Sequence, residues 1–69
     1  MERSLRNNAT RLLRERQVLD LVSFSRSTLW RLVRAGEFPG PYKLSDGITV
    51  WRADEVYQWV ETRTRPQAR

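Results

Sequence analysis

The sequence predicts a mainly α domain with a small β-hairpin: a winged helix-turn-helix of about three helices plus a two-stranded antiparallel wing. Three observations carry that expectation. A short apolar-periodic run is followed, after the turn Val22-Ser23-Phe24, by a second and strongly basic helical run. An Asp46-Gly47 pair separates two β-favouring runs, and a last amphipathic segment follows them.

Taken in order, residues 1–10 are polar, aperiodic and carry an Asn pair, which predicts a flexible N-terminal arm. Leu12 and Leu13 predict a brief extended entry that closes the bottom of the core. A first helix follows from about Glu15 to Val22, with Val18, Leu21 and Val22 recurring at i, i+3 and i+4. The second helix, about 26–35, has its start and stop written beside it. Ser25 is a good N-cap, and Gly36 stands where a left-handed residue ends a helix. At about 100° per residue, Leu29, Leu32 and Val33 share one arc of this helix, whereas Ser27, Arg31 and Arg34 lie opposite and Trp30 lies on the flank. One face packs, and the other is left to meet a polyanion.

Glu37-Phe38-Pro39-Gly40-Pro41 cannot continue a helix, because each proline fixes φ and pushes the preceding residue toward extended backbone. Phe38 is expected as an apolar plug under this turn. Tyr42-Lys43-Leu44 and Ile48-Thr49-Val50-Trp51 then form a wing over 42–51 that must lie against the helices, since two short strands are unstable alone. Asp54 and Glu55 favour the first turn of a last helix, with Val56, Trp59, Val60 and the stem of Arg63 on one face. Trp51 and Trp59 are expected in the core. The domain therefore covers 11–63, and 64–69 is expected as a flexible basic tail.

Sixty-nine residues make one small domain, and a core of that size supplies only a few kcal/mol of net stability. The chain has no cysteine and no histidine, which excludes disulfides, thiolate chemistry and the usual zinc ligand sets. No metal and no cofactor are expected. Adjacent Asp54 and Glu55 diverge on a helix rather than forming a carboxylate dyad, and no Gly-rich phosphate loop is present, so the chain does not read as an enzyme. No apolar run spans a bilayer and no secretory leader is evident, so the expected location is cytoplasmic, at the bacterial nucleoid.

Thirteen Lys plus Arg against eight Asp plus Glu give a net charge of +5, and every cation but Lys43 is arginine. Arginine forks suit phosphates and guanine edges. Positions 24–36 and 62–69 hold cations and no acid, a local field that favours double-stranded DNA over a merely soluble basic surface. A helix in the major groove reads bases mainly from its N-terminal half and touches phosphates at its flanks. Arg26, Ser27, Trp30 and Arg31 are the base-facing candidates on that geometry, with Arg31 central and suited to a bidentate guanine contact. Arg26 opposes the helix dipole, which points to an external anion, a phosphate. Thr28 is a first-turn hydroxyl within reach of phosphate, and Arg34 is a phosphate candidate. Trp30 either folds back on Phe24 or Val33 or lays its ring on sugar or a thymine methyl. In the wing, Lys43 and Thr49 are candidates for a neighbouring phosphate, and Arg52 for phosphate or for Asp54 and Glu55.

Five stretches in order resemble the AlpA family of phage and prophage regulators: Arg11-Leu12-Leu13, Ser25 to Leu32, Gly36-Glu37-Phe38-Pro39, Lys43-Leu44, and Trp51-Arg52 with Glu55-Val56 and Trp59-Val60. That family is akin to the MerR-like winged-helix DNA binders and to phage excisionases. The resemblance covers about Arg11 to Arg63. It implies a DNA-binding protein that regulates a prophage gene or assists excision beside an integrase, with the second helix in the major groove and the wing alongside. The chain departs from the family pattern in having Trp30 where Tyr is common, and Ile48, Thr49 and Val50 where an Arg often precedes the wing tryptophan.

One short helix reads only a few base pairs, so the expectation is a monomer that assembles with other copies of itself on repeated sites. The competing reading is a small protein-binding inhibitor of a host regulator, with Phe38, Tyr42 and Tyr57 as its contact set. A membrane-surface peptide fits poorly, because Leu29, Leu32 and Val33 are needed for the core.

Overall fold

Trp51 is fully buried, and the fold is organised around the strand that carries it. The computed structural model describes residues 11–65. Its elements run β1 (Leu12–Leu13), α1 (Glu15–Val22), α2 (Arg26–Arg34), β2 (Tyr42–Ser45), β3 (Ile48–Arg52) and α3 (Ala53–Thr64). The three helices and the hairpin are those the sequence predicts. The sheet is larger than the expected two-stranded wing, because β1 pairs antiparallel with β3 to give the order β1-β3-β2. Leu12 lies opposite Arg52 and Leu13 opposite Trp51, and the Ala53 amide continues the ladder to the Arg11 carbonyl at 2.9 Å. This pairing satisfies backbone groups of β3 that would otherwise be stranded beside the core. Leu13 is buried and Leu12 is exposed, so only one of the two leucines closes the core.

Both helices of the helix-turn-helix end on left-handed residues. After α1 the residue is Ser23 (φ 64°), whose amide donates to the Leu19 carbonyl at 3.0 Å. The chain then turns at once into Ser25, whose Oγ accepts from the Thr28 amide at 3.2 Å and caps α2. After α2 the residue is Gly36 (φ 76°). Gly36 and Glu37 donate back to the Val33 and Leu32 carbonyls at 3.1 and 2.8 Å, a Schellman ending.

The inward side of α1 is rotated from the expected one. Val18 is buried, Leu19 and Val22 pack partly buried against the core, and Leu21 is exposed. The helix turns its Leu19 edge inward, which also brings Glu15 to the same side, since 15, 18, 19 and 22 share one stripe.

Leu13, Val18, Leu29, Phe38, Trp51, Ala53 and Val56 form the core cluster. The tryptophans tie the segment after α2 to it. Trp51 Nε1 donates to the Pro39 carbonyl at 2.9 Å and Trp59 Nε1 to the Glu37 carbonyl at 2.8 Å. Between them Phe38 plugs the turn, its ring 4.7 Å from that of Trp59 and 6.2 Å from that of Phe24. Trp59 is only half-buried and carries the Arg63 guanidinium 4.6 Å from its ring centre, a cation–π contact that keeps the arginine stem on this face.

The hairpin turns at Asp46-Gly47, with Gly47 at φ 75°. Tyr42 pairs with Val50, Lys43 with Thr49 and Ser45 with Ile48, the register shifting once in β2 between Lys43 and Ser45. In the hairpin, β3 carries the buried residues Val50 and Trp51, whereas β2 is exposed along its length. Asp54 and Glu55 occupy the first turn of α3 as expected, and Arg65, before Pro66, is extended. The N-terminal arm expected over 1–10 lies outside the described residues, as does the tail expected over 64–69 from position 66 onward; its first residue, Thr64, belongs to α3.

Candidate nucleic-acid interface

The outward side of α2 exposes Ser27, Arg31 and Arg34, with Arg26 exposed at the edge next to α1, while Leu29 on the other side is fully buried. Arg31 and Arg34 lie in the last turn, where a cation complements the helix dipole whatever it binds. Thr28 is half-buried and belongs to the cap: it donates its amide to Ser25 Oγ and accepts the Ser25 hydroxyl at 3.1 Å.

Arg26, at the first position of α2, faces an anion that belongs to the protein itself. Its Nε lies 2.9 Å from Oε2 of Glu15, the first residue of α1. The same carboxylate oxygen accepts from Trp30 Nε1 at 2.9 Å. The ring of Trp30 stands edge-on to that of Trp51 with centroids 5.5 Å apart, and Trp30 is half-buried. Its packing partner is thus Trp51, on the wing strand, rather than Phe24 or Val33 from its own neighbourhood.

Alternation along β3 divides the wing residues between two sides. Thr49 shares its side with Trp51, and Lys43 stands directly opposite Thr49 on β2. Thr49 and Trp51 face toward α1 and α2, where they line with Arg14, Glu15, Arg16, Trp30 and Gly47 an open groove of about 390 Å³. Arg52 falls on the other side with Val50 and Tyr42. Its guanidinium reaches Asp54 at 3.4 Å, and this charge-assisted hydrogen bond holds it still more firmly protonated. Tyr42 donates its phenol to Glu55 Oε2 at 2.9 Å, and that hydrogen bond raises its pKa above the ordinary value. The structure therefore leaves Ser27, Arg31 and Arg34 exposed on α2 and Lys43 and Thr49 on one side of the wing, with Arg52 on the other side of β3.

Three groove residues were not legible as site residues. Arg14, Glu15 and Arg16 belong to the start of α1, a helix whose sequence signals packing. What brings them beside the wing is the non-local β1–β3 pairing, for which a two-residue strand leaves no periodic signal. Of the contact set for the protein-binding alternative, Tyr42 and Tyr57 are exposed, but Phe38 is buried and cannot meet a partner. No helix among the described residues is long and apolar enough to cross a membrane.

A family model for the prophage CP4-57 regulatory protein (AlpA) matches residues 11–64. The chain is also 40% identical over 53 residues to a protein of Enterobacteria phage P4 described as "Uncharacterized protein ORF88". That match takes in 77% of this chain and spans 60% of the relative's length. No solved structure matches the chain. The family match runs from β1 through α3, taking in the capped α2, the Gly36 turn, the wing and both tryptophan ties: the chain belongs to the AlpA family of prophage regulatory proteins.

Proposed function

We propose that this protein is a sequence-specific DNA-binding regulator of the prophage type, which lays α2 in the major groove with the wing alongside. The observation that carries the reading is the outward side of α2. It exposes Ser27, Arg31 and Arg34, with Arg26 at its edge, on a helix held from behind by Leu29 and capped at both ends. Arg31, central on this side, reads guanine; Arg34 and the first-turn hydroxyls of Ser27 and Thr28 meet phosphates; Lys43 and Thr49 meet the backbone beside the helix. Trp30 and Arg52, whose polar atoms are engaged within the protein, support the fold rather than the contact set. Recognition of a full site requires several copies side by side, and the same binding serves transcriptional control or, beside an integrase, excision.

The test is fluorescence anisotropy of the protein against fragments of its own upstream and element-end DNA, with scrambled duplexes, over a salt series. Tight binding to one fragment, weakened by Arg31→Ala by about 1–3 kcal/mol, supports the reading. Equal weak binding to every fragment refutes it, and a stable dimer in sedimentation without DNA refutes assembly from monomers.

A further inference from the structure

Glu15 begins the stripe Glu15, Val18, Leu19 and Val22 that α1 turns inward, so an apolar seam opens with a carboxylate. A charge so placed is costly unless it is paired. Glu15 is paired twice through one oxygen, to Trp30 Nε1 and to Arg26 Nε, both at 2.9 Å. Its side chain is 28% exposed and that of Arg26 is 73% exposed. It is also the one acid among the residues lining the groove between α1, α2 and β3, where two arginines flank it.

The two bonds differ in what holds their far ends. Trp30 is anchored against Trp51 in the core, so it fixes Glu15 from the inside. Arg26 is exposed at the start of α2, on the edge toward α1, so Glu15 in turn restrains Arg26. The bond takes Nε and leaves the two terminal nitrogens of the fork for a further acceptor. A flexible arginine adapts to any passing phosphate, which is the basis of binding that ignores sequence. An arginine paired at Nε is biased toward acceptors its fork can reach from there, and the nearby carboxylate repels phosphates elsewhere.

We propose, resting on the DNA-binding reading above, that Glu15 is a specificity-determining positioning residue. It withholds Arg26 from generic phosphate contact and presents it only to a DNA acceptor in the correct register. It acts through Arg26 and touches no base.

Glu15→Gln keeps an acceptor for Trp30 and removes the charge that holds Arg26. On a scrambled duplex it is expected to bind tighter than the parent, with a plot of log K against log salt steeper by about 0.9, the signature of one added phosphate contact. The ratio of cognate to scrambled affinity falls accordingly. In an Arg26→Ala background the same substitution is expected to leave the salt slope unchanged. Arg26→Ala alone keeps Glu15 and Trp30 joined, and so tests the idea even if the Glu15 variant folds poorly. It is expected to weaken cognate binding while the slope on scrambled DNA stays in place. An unchanged slope in a folded Glu15→Gln protein overturns the proposal. So does a slope change that persists without Arg26, or a shallower scrambled-DNA slope in Arg26→Ala. In each of those cases site-specific binding by the parent survives, whereas a parent that prefers no duplex removes the DNA reading itself.

Discussion

The floor of the domain and the outward side of α2 divide stability from charge. The floor is Trp51, Phe38, Leu13, Val18, Leu29 and Val56, with no charged or polar residue buried among the described ones. The outward side of α2 is two arginines and a serine, with a third arginine, Arg26, at its edge, all exposed. A chain of this length has few apolar residues to spare, so its fold rests on a handful of large side chains while its charged residues can be exchanged at little cost to folding. Binding and folding should accordingly respond to different substitutions.

The sharpest break is Trp51→Ala. It empties the most central site and abandons the Pro39 carbonyl, at a cost of about 3–5 kcal/mol, comparable to the whole stability of so small a domain. Thermal or urea denaturation should show loss of the cooperative transition. Arg31→Ala is the converse. Its stability should stay within about 0.5 kcal/mol of the parent, while cognate DNA affinity drops by the margin proposed above. An Arg31→Ala protein that melts well below the parent would mean that α2's outer side also holds the fold, and the division would fail.

The two left-handed helix ends sharpen the same comparison at smaller scale. Gly36 has open space where a Cβ would stand, so Gly36→Ala meets no neighbour and costs only the backbone term, about 1–2 kcal/mol. Ser23 holds a comparable φ with a side chain, so Ser23→Gly should move stability the other way, by up to about 1 kcal/mol once the looser unfolded chain is counted. Paired melts of the two variants check both signs. Equal destabilisation by both would show that Ser23 contributes something beyond its backbone angle.

These helix ends also mark where the sequence was readable. Ser25 and Gly36 announce α2 because a capping hydroxyl and a left-handed glycine are local chemistry, as is the Asp46-Gly47 turn. Ser23 gives no such notice, since serine is only rarely left-handed. The wheel of α1 admits two arcs, one centred toward Leu21 and one toward Leu19. Only tertiary packing chooses the second, and Glu15 comes with it. Arg26 was legible as a cation against the dipole and read toward an external phosphate, whereas the partner in the fold is Glu15, eleven positions earlier on another helix, and no spacing rule reaches that far. The β1–β3 pairing was illegible for the same reason. The exposed side of α2 was therefore readable from the chain, and the groove beside it was not.

The smallest expected effect lies at the far side of the wing, where Tyr42 on the exposed strand donates its phenol to Glu55 on α3. That hydrogen bond, the first cause of the shift, favours the protonated phenol and raises its pKa above the ordinary value near 10. A group whose pKa is higher folded than unfolded contributes its stabilisation fully below the unfolded value. The contribution is lost as pH rises from about 10 toward the folded value, because the unfolded chain releases its proton first. Denaturation midpoints measured between neutral pH and the alkaline range should thus show a small decline specific to this pair, absent in Tyr42→Phe. Because β2 is exposed along its whole length, solvent screens the pair and the decline should be slight beside any change at Trp51. A steep alkaline loss that Tyr42→Phe abolishes would show instead that the wing's outer strand is held to α3 more strongly than its exposure implies, and that the floor's share of the stability extends to the wing.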